Sequence, residues 1–290
     1  MSDVSDVEVR VSVSWLRLRE EADAAARSRV LVREVAEALS HNRTQVIHDL
    51  GAGSGSLGRW IAPRLPGPQH WVLHDRDEDL LWVARHDVPP DSRDELPVTV
   101  EARRDDLTRL SPDDVAGASL ITASALLDML TADELERVVR TCVSADCPTL
   151  FSLTVLGHVE LSPPHPLDDE LGDAFNDHQR RTVGGRTLLG PDAGAAASGL
   201  FAGFGSRVLV ERSPWELDAH HGPLIGQWLT GWVGAAVEQR PELRREADAY
   251  LAMRRVELAE GRLRVRVDHV DVLALPGGER AGWTHGAPSG

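Results

Sequence analysis

Residues 45–58, Gln-Val-Ile-His-Asp-Leu-Gly-Ala-Gly-Ser-Gly-Ser-Leu-Gly, decide how the rest of the chain is read. Val46 and Ile47 make a short apolar strand, Asp49 closes it, and Gly51, Gly53 and Gly55 permit a tight turn before a helix over residues 56–65. Lacking a Cβ, such a turn lets a bound molecule approach the backbone, and the helix that follows begins with free N–H groups. A small ligand can therefore lie across the strand end. The offset Gly53, Gly55, Gly58 satisfies the dinucleotide fingerprint G-x-G-x-x-G, with Asp75 near the distance of a ribose-binding acid. The offset Asp49, Gly51, Gly53, Gly55 instead reads D-x-G-x-G-x-G. The glycines alone do not separate the two.

Outward from this unit, apolar strands alternate with helices. Residues 70–75 read as a second strand through Trp71, Val72 and Leu73, followed by a helix over 77–88. Residues 98–102 are a third strand ending in Arg103, Arg104, Asp105 and Asp106; 119–125 a fourth, 131–145 a helix and 149–155 a fifth strand. Such alternation implies a parallel sheet covered on both faces. Upstream, Trp15, Leu16, Ala26, Val30, Leu31, Val35 and Leu39 are spaced as an amphipathic helix in two pieces, after a flexible tail or weak strand over 1–12. Beyond residue 156 the pattern changes. Residues 157–170, rich in Pro, His and Asp, read as an exposed loop, 171–181 and 192–204 as short helices, and 207–210 as a sixth strand. Residues 222–260 read as two helices parted at Pro241, and 263–275 as a final strand with room for a bulge. There is no internal repeat.

In this setting Asp49 to Gly55 resembles motif I of the class I methyltransferases that use S-adenosylmethionine, and the resemblance covers residues 45–156, more loosely the remainder. It implies an α/β, Rossmann-like, seven-stranded and mostly parallel sheet with helices on both faces, an N-terminal helical segment and a helical insertion between the last two strands. The implied layout is a tail and helical cap over 1–44, a methyltransferase domain over 45–275, and a disordered tail over 276–290. Stretches 157–205 and 218–262 would elaborate the acceptor side. In the family, the acid matching Asp49 orders the methionine end of the cofactor. Asp75 matches the acid that accepts both ribose hydroxyls, since one ionised carboxylate can take two hydrogen bonds. Asp106 matches the residue that meets the adenine amino group, with Asp105 taking its place if the register slips by one. Gly51, Ala52, Gly53 and Gly55 in the turn, Arg76 and Leu107 beside two of the acids, and Ser124 at the end of the fourth strand complete the implied cofactor site. Acids suit a ligand carrying a sulfonium and an ammonium group, whereas an Asp two residues before the first glycine opposes the phosphates of a dinucleotide.

The acceptor side is less sharply marked. Asn/Asp-Pro-Pro-Tyr, the family signature for amide and base nitrogens, is absent after the fourth strand, as is the Pro-Cys pair of cytosine C5 enzymes. Asp128 follows that strand as a candidate catalytic acid that orients an acceptor, or as a cap of the next helix. The two acids and lysine of catechol-type enzymes have no counterpart, so transfer without a metal is expected and no metal ligands are assigned. Within 175–192, the His-Gln-Arg-Arg and Leu-Gly-Pro-Asp portions look similar to an acceptor-side stretch of a bacterial methyltransferase subgroup. Arg180, Arg181 and Arg186 concentrate positive charge there and suit an anionic acceptor, with His178 as a candidate base. The alternative is a solvated helix end whose arginines pair with local acids. Trp15, with Arg19 and Asp23 at i, i+4 spacing, reads as a lid face over the cofactor and acceptor, or as a solvated face with one aromatic anchor. Trp215, Trp228 and Trp232 serve equally as an acceptor wall or as core.

Composition narrows the partners. Against 46 acids stand 31 bases, a formal charge of −15, which repels a phosphate backbone and argues against nucleic acid. No lysine occurs, so every base is arginine, and a Walker A lysine, a pyridoxal phosphate lysine, a Tyr-x-x-x-Lys dyad and the lysine tetrad of ribose 2′-O-methyltransferases are all excluded. Cys142 and Cys147 give neither a zinc pattern nor a disulfide framework. The acidic N-terminus lacks an apolar signal core and no apolar run reaches membrane-spanning length, so a cytoplasmic monomer or homodimer without a membrane partner is expected. The expected function is S-adenosylmethionine-dependent methylation of a small, anionic acceptor at oxygen or nitrogen. An NAD(P)-dependent oxidoreductase on the same glycine turn and a non-catalytic methyltransferase-like binding protein are the alternatives.

Overall fold

The structure, a computed structural model, describes residues 11–40 and 43–277; the expectations for residues 1–10 and for the tail from 278 onward lie outside them. Two helices lead, α1 (Val13–Ala26) and α2 (Arg29–Ala38). Each is started by a serine, Ser12 or Ser28, whose hydroxyl accepts the N–H of Trp15 or Leu31. The alternating unit follows as β1 (Gln45–Leu50), α3 (Ser56–Ile61), β2 (Gln69–Asp75), α4 (Glu78–His86), β3 (Val98–Arg104), β4 (Leu120–Ser124), α5 (Ala132–Ser144) and β5 (Thr149–Ser162). Asp77 caps α4, and α5 opens with a capping box between Thr131 and Glu134. The second half comprises α6 (Asp168–Gln179), a hairpin of β6 (Thr182–Val183) and β7 (Arg186–Thr187), α7 (Ala193–Gly203), β8 (Arg207–Arg212), β9 (Trp215–Leu217), α8 (Gly222–Gln239), α9 (Arg244–Ala259) and β10 (Arg264–Leu275).

The main sheet runs β3-β2-β1-β4-β5-β10-β8, with β9 pairing alongside β10. Strands β1 to β5 are mutually parallel, and β10 lies antiparallel between β5 and β8. This is the expected Rossmann-like, mostly parallel sheet, with β9 as an eighth strand beyond the seven anticipated. From β1 the chain first winds outward through β2 and β3, then returns to β4 on the other side of β1. Loops leaving the carboxyl ends of β1 and β4 therefore diverge and open a crevice, where open α/β sheets bind ligands.

Ile47, Trp71 and Leu73 bury one sheet face beneath α2 and α3, while Leu50, Ile121 and Phe151 bury the other beneath α5 and α7. Burying each such side chain contributes about 1.5–3 kcal/mol. A third cluster, with Leu224, Trp232 and Tyr250, packs α8 and α9, the helical insertion expected between the last two strands, against α6.

One expectation is corrected. The loop anticipated over 157–170 is shorter, because β5 continues to Ser162 and α6 begins at Asp168. Val159 and Leu161 alternate with polar neighbours and pair with Val267 and Val265 of β10, a pattern too short to stand out beside Pro163 and Pro164. The final strand carries the anticipated irregularities, with register shifts between Val267 and His269 and between Val270 and Val272. Buried Asp271 bridges the second: its carboxylate accepts the N–H of Leu153 at 2.8 Å and that of Ser28 at 2.7 Å.

Candidate functional site

At the crevice, β1 passes into the glycine turn. Gly53 has φ +56 and donates its N–H to Asp75 Oδ2 at 2.8 Å, so the turn is moored to the end of β2. A Cβ on Gly53 would come within 3.3 Å of Leu16 Cδ1, and one on Gly51 within 3.0 Å of the Leu126 side chain. Helix α1 thus covers the turn from above while Leu126 and Leu107 close it from the side. Glu20 of α1 grips Arg59 of α3 through two hydrogen bonds of 2.9 and 2.8 Å. Ala52 donates to the carbonyl of His74 at 2.9 Å.

The three acids that the resemblance implies take different settings. Asp49 is buried beneath the turn, accepts the Thr122 hydroxyl at 2.7 Å, and is pushed up to about 7 by burial, against the opposing Thr122 hydrogen bond and the Arg27 charge. Asp75 accepts the N–H groups of Gly53 and Asp77, one on each oxygen, leaving each oxygen a further lone pair. Of the adjacent pair after β3, Asp105 turns inward to His74 Nδ1 at 2.8 Å, and Asp106 is exposed, its Oδ1 accepting from Thr108. The two acids thus differ in setting, Asp105 tied to β2 and Asp106 facing solvent. Arg76 is exposed at the mouth, and Leu107 is half-buried against the turn.

Ser124, at the end of β4, receives Arg27 Nη2 at 3.3 Å, and the same nitrogen lies 3.3 Å from the Ser56 hydroxyl at the start of α3. Arg27 comes from the junction of α1 and α2 and is only 2% exposed; its Nε and Nη1 have no hydrogen-bond partner among the described residues. Burial pushes its guanidinium down, while Asp23, Asp271 and Asp49 act in the opposite sense. Sequence reasoning did not find it. Nothing local distinguishes Arg27 from Arg29 or Arg33, and its partners lie 29 and 97 residues away.

On the acceptor side the structure divides the expected cluster. Arg180 forms a two-bond pair with Asp192, at 2.7 and 2.9 Å, and Arg186 one with Glu134, at 2.8 and 2.7 Å. These two face different acids on different elements. Arg181 remains beside His178, with Nη1 2.9 Å from its carbonyl and 3.2 Å from its Nδ1. The other imidazole nitrogen of His178 lies 3.3 Å from Glu238, so both ring nitrogens are engaged; burial, then the charge of Arg181, lower its pKa. Asp128 sits in the turn Leu127–Met129 directly after β4. Burial pushes its carboxyl up, and the charges of Arg19 and Arg181 act on it the other way. The charges of Arg181 and of Arg19, a residue of the anticipated lid face, thus both act on Asp128.

That lid face is built as a clamp. Asp23 is 4% exposed, accepts Arg19 Nε at 2.9 Å and Trp215 Nε1 at 2.9 Å, and the Arg19 guanidinium stacks 4.9 Å over the Trp215 ring. Trp15 packs against the core of the insertion, where Trp215 and Trp232 are buried and Trp228 stacks on Trp232 at 5.3 Å. Among the described residues no three His, Cys, Asp or Glu gather as metal ligands, and no helix is long and apolar enough to cross a membrane.

The strand order and the glycine turn at its switch point define a Rossmann-like α/β fold. No family model matches the chain, and no curated protein matches its sequence. Among solved structures it is similar to the cyclopropane synthase MmaA2 of Mycobacterium tuberculosis, at 13% identity and TM-score 0.48, over 91% of this chain and 94% of that one. It is also similar to YcgJ of Bacillus subtilis, at 12% identity and TM-score 0.46, over 87% and 100%. A third is phosphoethanolamine N-methyltransferase 2 of Haemonchus contortus, whose structure holds phosphomonomethylethanolamine and S-adenosylhomocysteine, at 14% identity and TM-score 0.42, over 90% and 57%. Likenesses of this degree say nothing about the chemistry of the site, which rests on its residues.

Proposed function

We propose that the protein is an S-adenosylmethionine-dependent methyltransferase acting on a small acceptor with an anionic group. The observation that carries this reading is the pair Asp49 and Asp75 at the glycine turn of the switch point, with Asp106 exposed just after the neighbouring β3. Such a trio attracts a cationic nucleoside and opposes a pyrophosphate, which separates the cofactor from a dinucleotide. Asp75 has lone pairs left for ribose hydroxyls, exposed Asp106, whose Oδ2 lies 3.6 Å from Arg109 Nε, has lone pairs left for the adenine amino group, and Asp49 takes the ammonium end. Bound there, S-adenosylmethionine supplies a sulfonium methyl, whose C–S bond breaks as the acceptor oxygen or nitrogen bonds the carbon, leaving S-adenosylhomocysteine.

This chain's own part is positioning, exclusion of water and proton removal. Arg181 and Arg19 supply the guanidinium groups for an acceptor carboxylate or phosphate. Asp128, whose carboxyl burial pushes up, suits taking the proton that the acceptor gives up. His178, held at both nitrogens, serves instead to orient Arg181. No step calls for a metal.

Calorimetric titration with S-adenosylmethionine, S-adenosylhomocysteine and NADH, repeated on Asp75→Ala, tests the cofactor. Micromolar binding of the first two, lost in the variant, is expected; binding of NADH alone overturns the reading. A methyl-transfer screen over small carboxylates and phosphates then tests the acceptor. Arg181→Ala is expected to raise the acceptor KM about tenfold or more, with cofactor affinity changed less than about twofold.

A further inference from the structure

Two histidines on neighbouring strands have no place in the machinery above. His48 of β1 and His74 of β2 are 3% and 0% exposed, on parallel strands where Leu50 pairs with His74 and His48 with Val72. Their rings lie 5.2 Å apart and nearly parallel, at 22°. His48 Nδ1 is 2.9 Å from His74 Nε2, and His74 Nδ1 is 2.8 Å from Asp105 Oδ2.

This chain of contacts fixes the protons. A carboxylate oxygen accepts, so His74 carries its hydrogen on Nδ1 and offers a lone pair at Nε2. His48 must then donate from Nδ1. Both rings are neutral in this arrangement. Burial pushes both imidazoles down, His48 to about 4. Arg103 lowers each of them further, while Glu101 and His70 act on His48 and Asp114 on His74.

Two apolar side chains would fill the interior of a parallel sheet at lower desolvation cost, so the pair calls for another account. The relay ends on one of two adjacent acids at the crevice. It holds Asp105 inward, and Asp105 in turn donates its N–H to the carbonyl of Asp75 at 3.0 Å. Asp106, next in sequence, is left outward.

We propose that His48 and His74 are positioning residues for recognition of the cofactor's base: by tying Asp105 inward they set the Asp106 carboxylate where the purine's exocyclic amino group is read. The inference rests on the cofactor reading above and adds to it a source of specificity behind the site.

The experiment compares affinities for S-adenosylhomocysteine and S-inosylhomocysteine, in which a carbonyl replaces the amino group, on the full chain. The wild type is expected to favour the adenosyl ligand about tenfold, the order of one hydrogen bond to a charged group. His74→Phe and Asp106→Ala should both bring the ratio near unity, with the inosyl ligand changed less than about twofold. His74→Asn, which keeps a donor toward Asp105, should recover most of the preference. Should His74→Phe fail to fold, Asp105→Ala, whose side chain is 40% exposed, carries the same expectation. An unchanged ratio in a folded His74→Phe or Asp105→Ala overturns the positioning role while leaving the cofactor reading intact. Failure of the wild type to bind either ligand overturns both.

Discussion

Asp49 lies in a buried position that costs its charge, yet the proposed ligand brings a cationic end to it. With Thr122, Arg27 and Asp75 as its neighbours and its carboxyl near 7, it is protonated in the empty protein at mild acidity and ionised above. Affinity for S-adenosylhomocysteine is therefore expected to rise about tenfold from roughly pH 6 to roughly pH 8, and Asp49→Asn should flatten the profile. A wild-type profile as flat as the variant's removes Asp49 from the ammonium end. Histidines give the opposite side of the pH scale. His48 and His269 are both held near 4, by burial first, so between about 6.5 and about 4 the unfolded chain binds protons that the folded one refuses. Stability is present above that interval and is lost as the pH falls through it. Melting temperature measured across the window should drop, and less so in His48→Leu. At this scale the sequence was legible where the signal is local: Asp49 and the glycines lie within seven residues, and Asp75 closes its own strand. It was silent on Arg27 and Asp271, whose meaning comes from partners up to 243 residues away.

Elements were read well where period and caps agree, as in α5 with its capping box and in β1, β2 and β4 with their apolar runs. They were read less well where an antiparallel partner makes the strand. The second half of β5 pairs with β10, and that pairing cannot be seen from either segment alone. The same distance hid the fate of the arginines around 180–186: their charge was visible, but Asp192 and Glu134, which claim Arg180 and Arg186, belong to other elements. Gly157 marks where β5 bends beside α6. It holds φ +75, and a Cβ there would stand 2.6 Å from Asn176 Oδ1 and 2.9 Å from Pro191. Gly157→Ala should cost about 2–3 kcal/mol in urea unfolding, from backbone strain and overlap together. A loss below about 0.5 kcal/mol would mean that α6 yields there without penalty.

For the whole molecule, the insertion is held by a buried ionic hub. Arg254 is 0% exposed and reaches Asp168 through Nη2 at 2.6 and 2.8 Å, Glu257 through Nη1 at 2.8 Å, and the carbonyl of Pro163; Tyr250 also donates to Asp168. Arg254→Ala takes the guanidinium from Asp168 and from buried Glu257 and should destabilise by about 3–5 kcal/mol. If unfolding then splits into two transitions, the insertion melts apart from the sheet. A single transition at lower denaturant means that the two share one cooperative unit.

Asp271 carries a consequence for how the protein comes into being. Its carboxylate receives N–H groups from Ser28, between α1 and α2, and from Leu153 of β5, and it sits on β10, which is made after both. The cap that covers the glycine turn is thus anchored to a residue made nearly 250 positions after it. A chain without β10 keeps the five parallel strands and the Arg27 bonds to Ser56 and Ser124 but lacks the carboxylate that receives Ser28 and Leu153. The full mooring of the cap over the glycine turn should therefore appear only once β10 has been made.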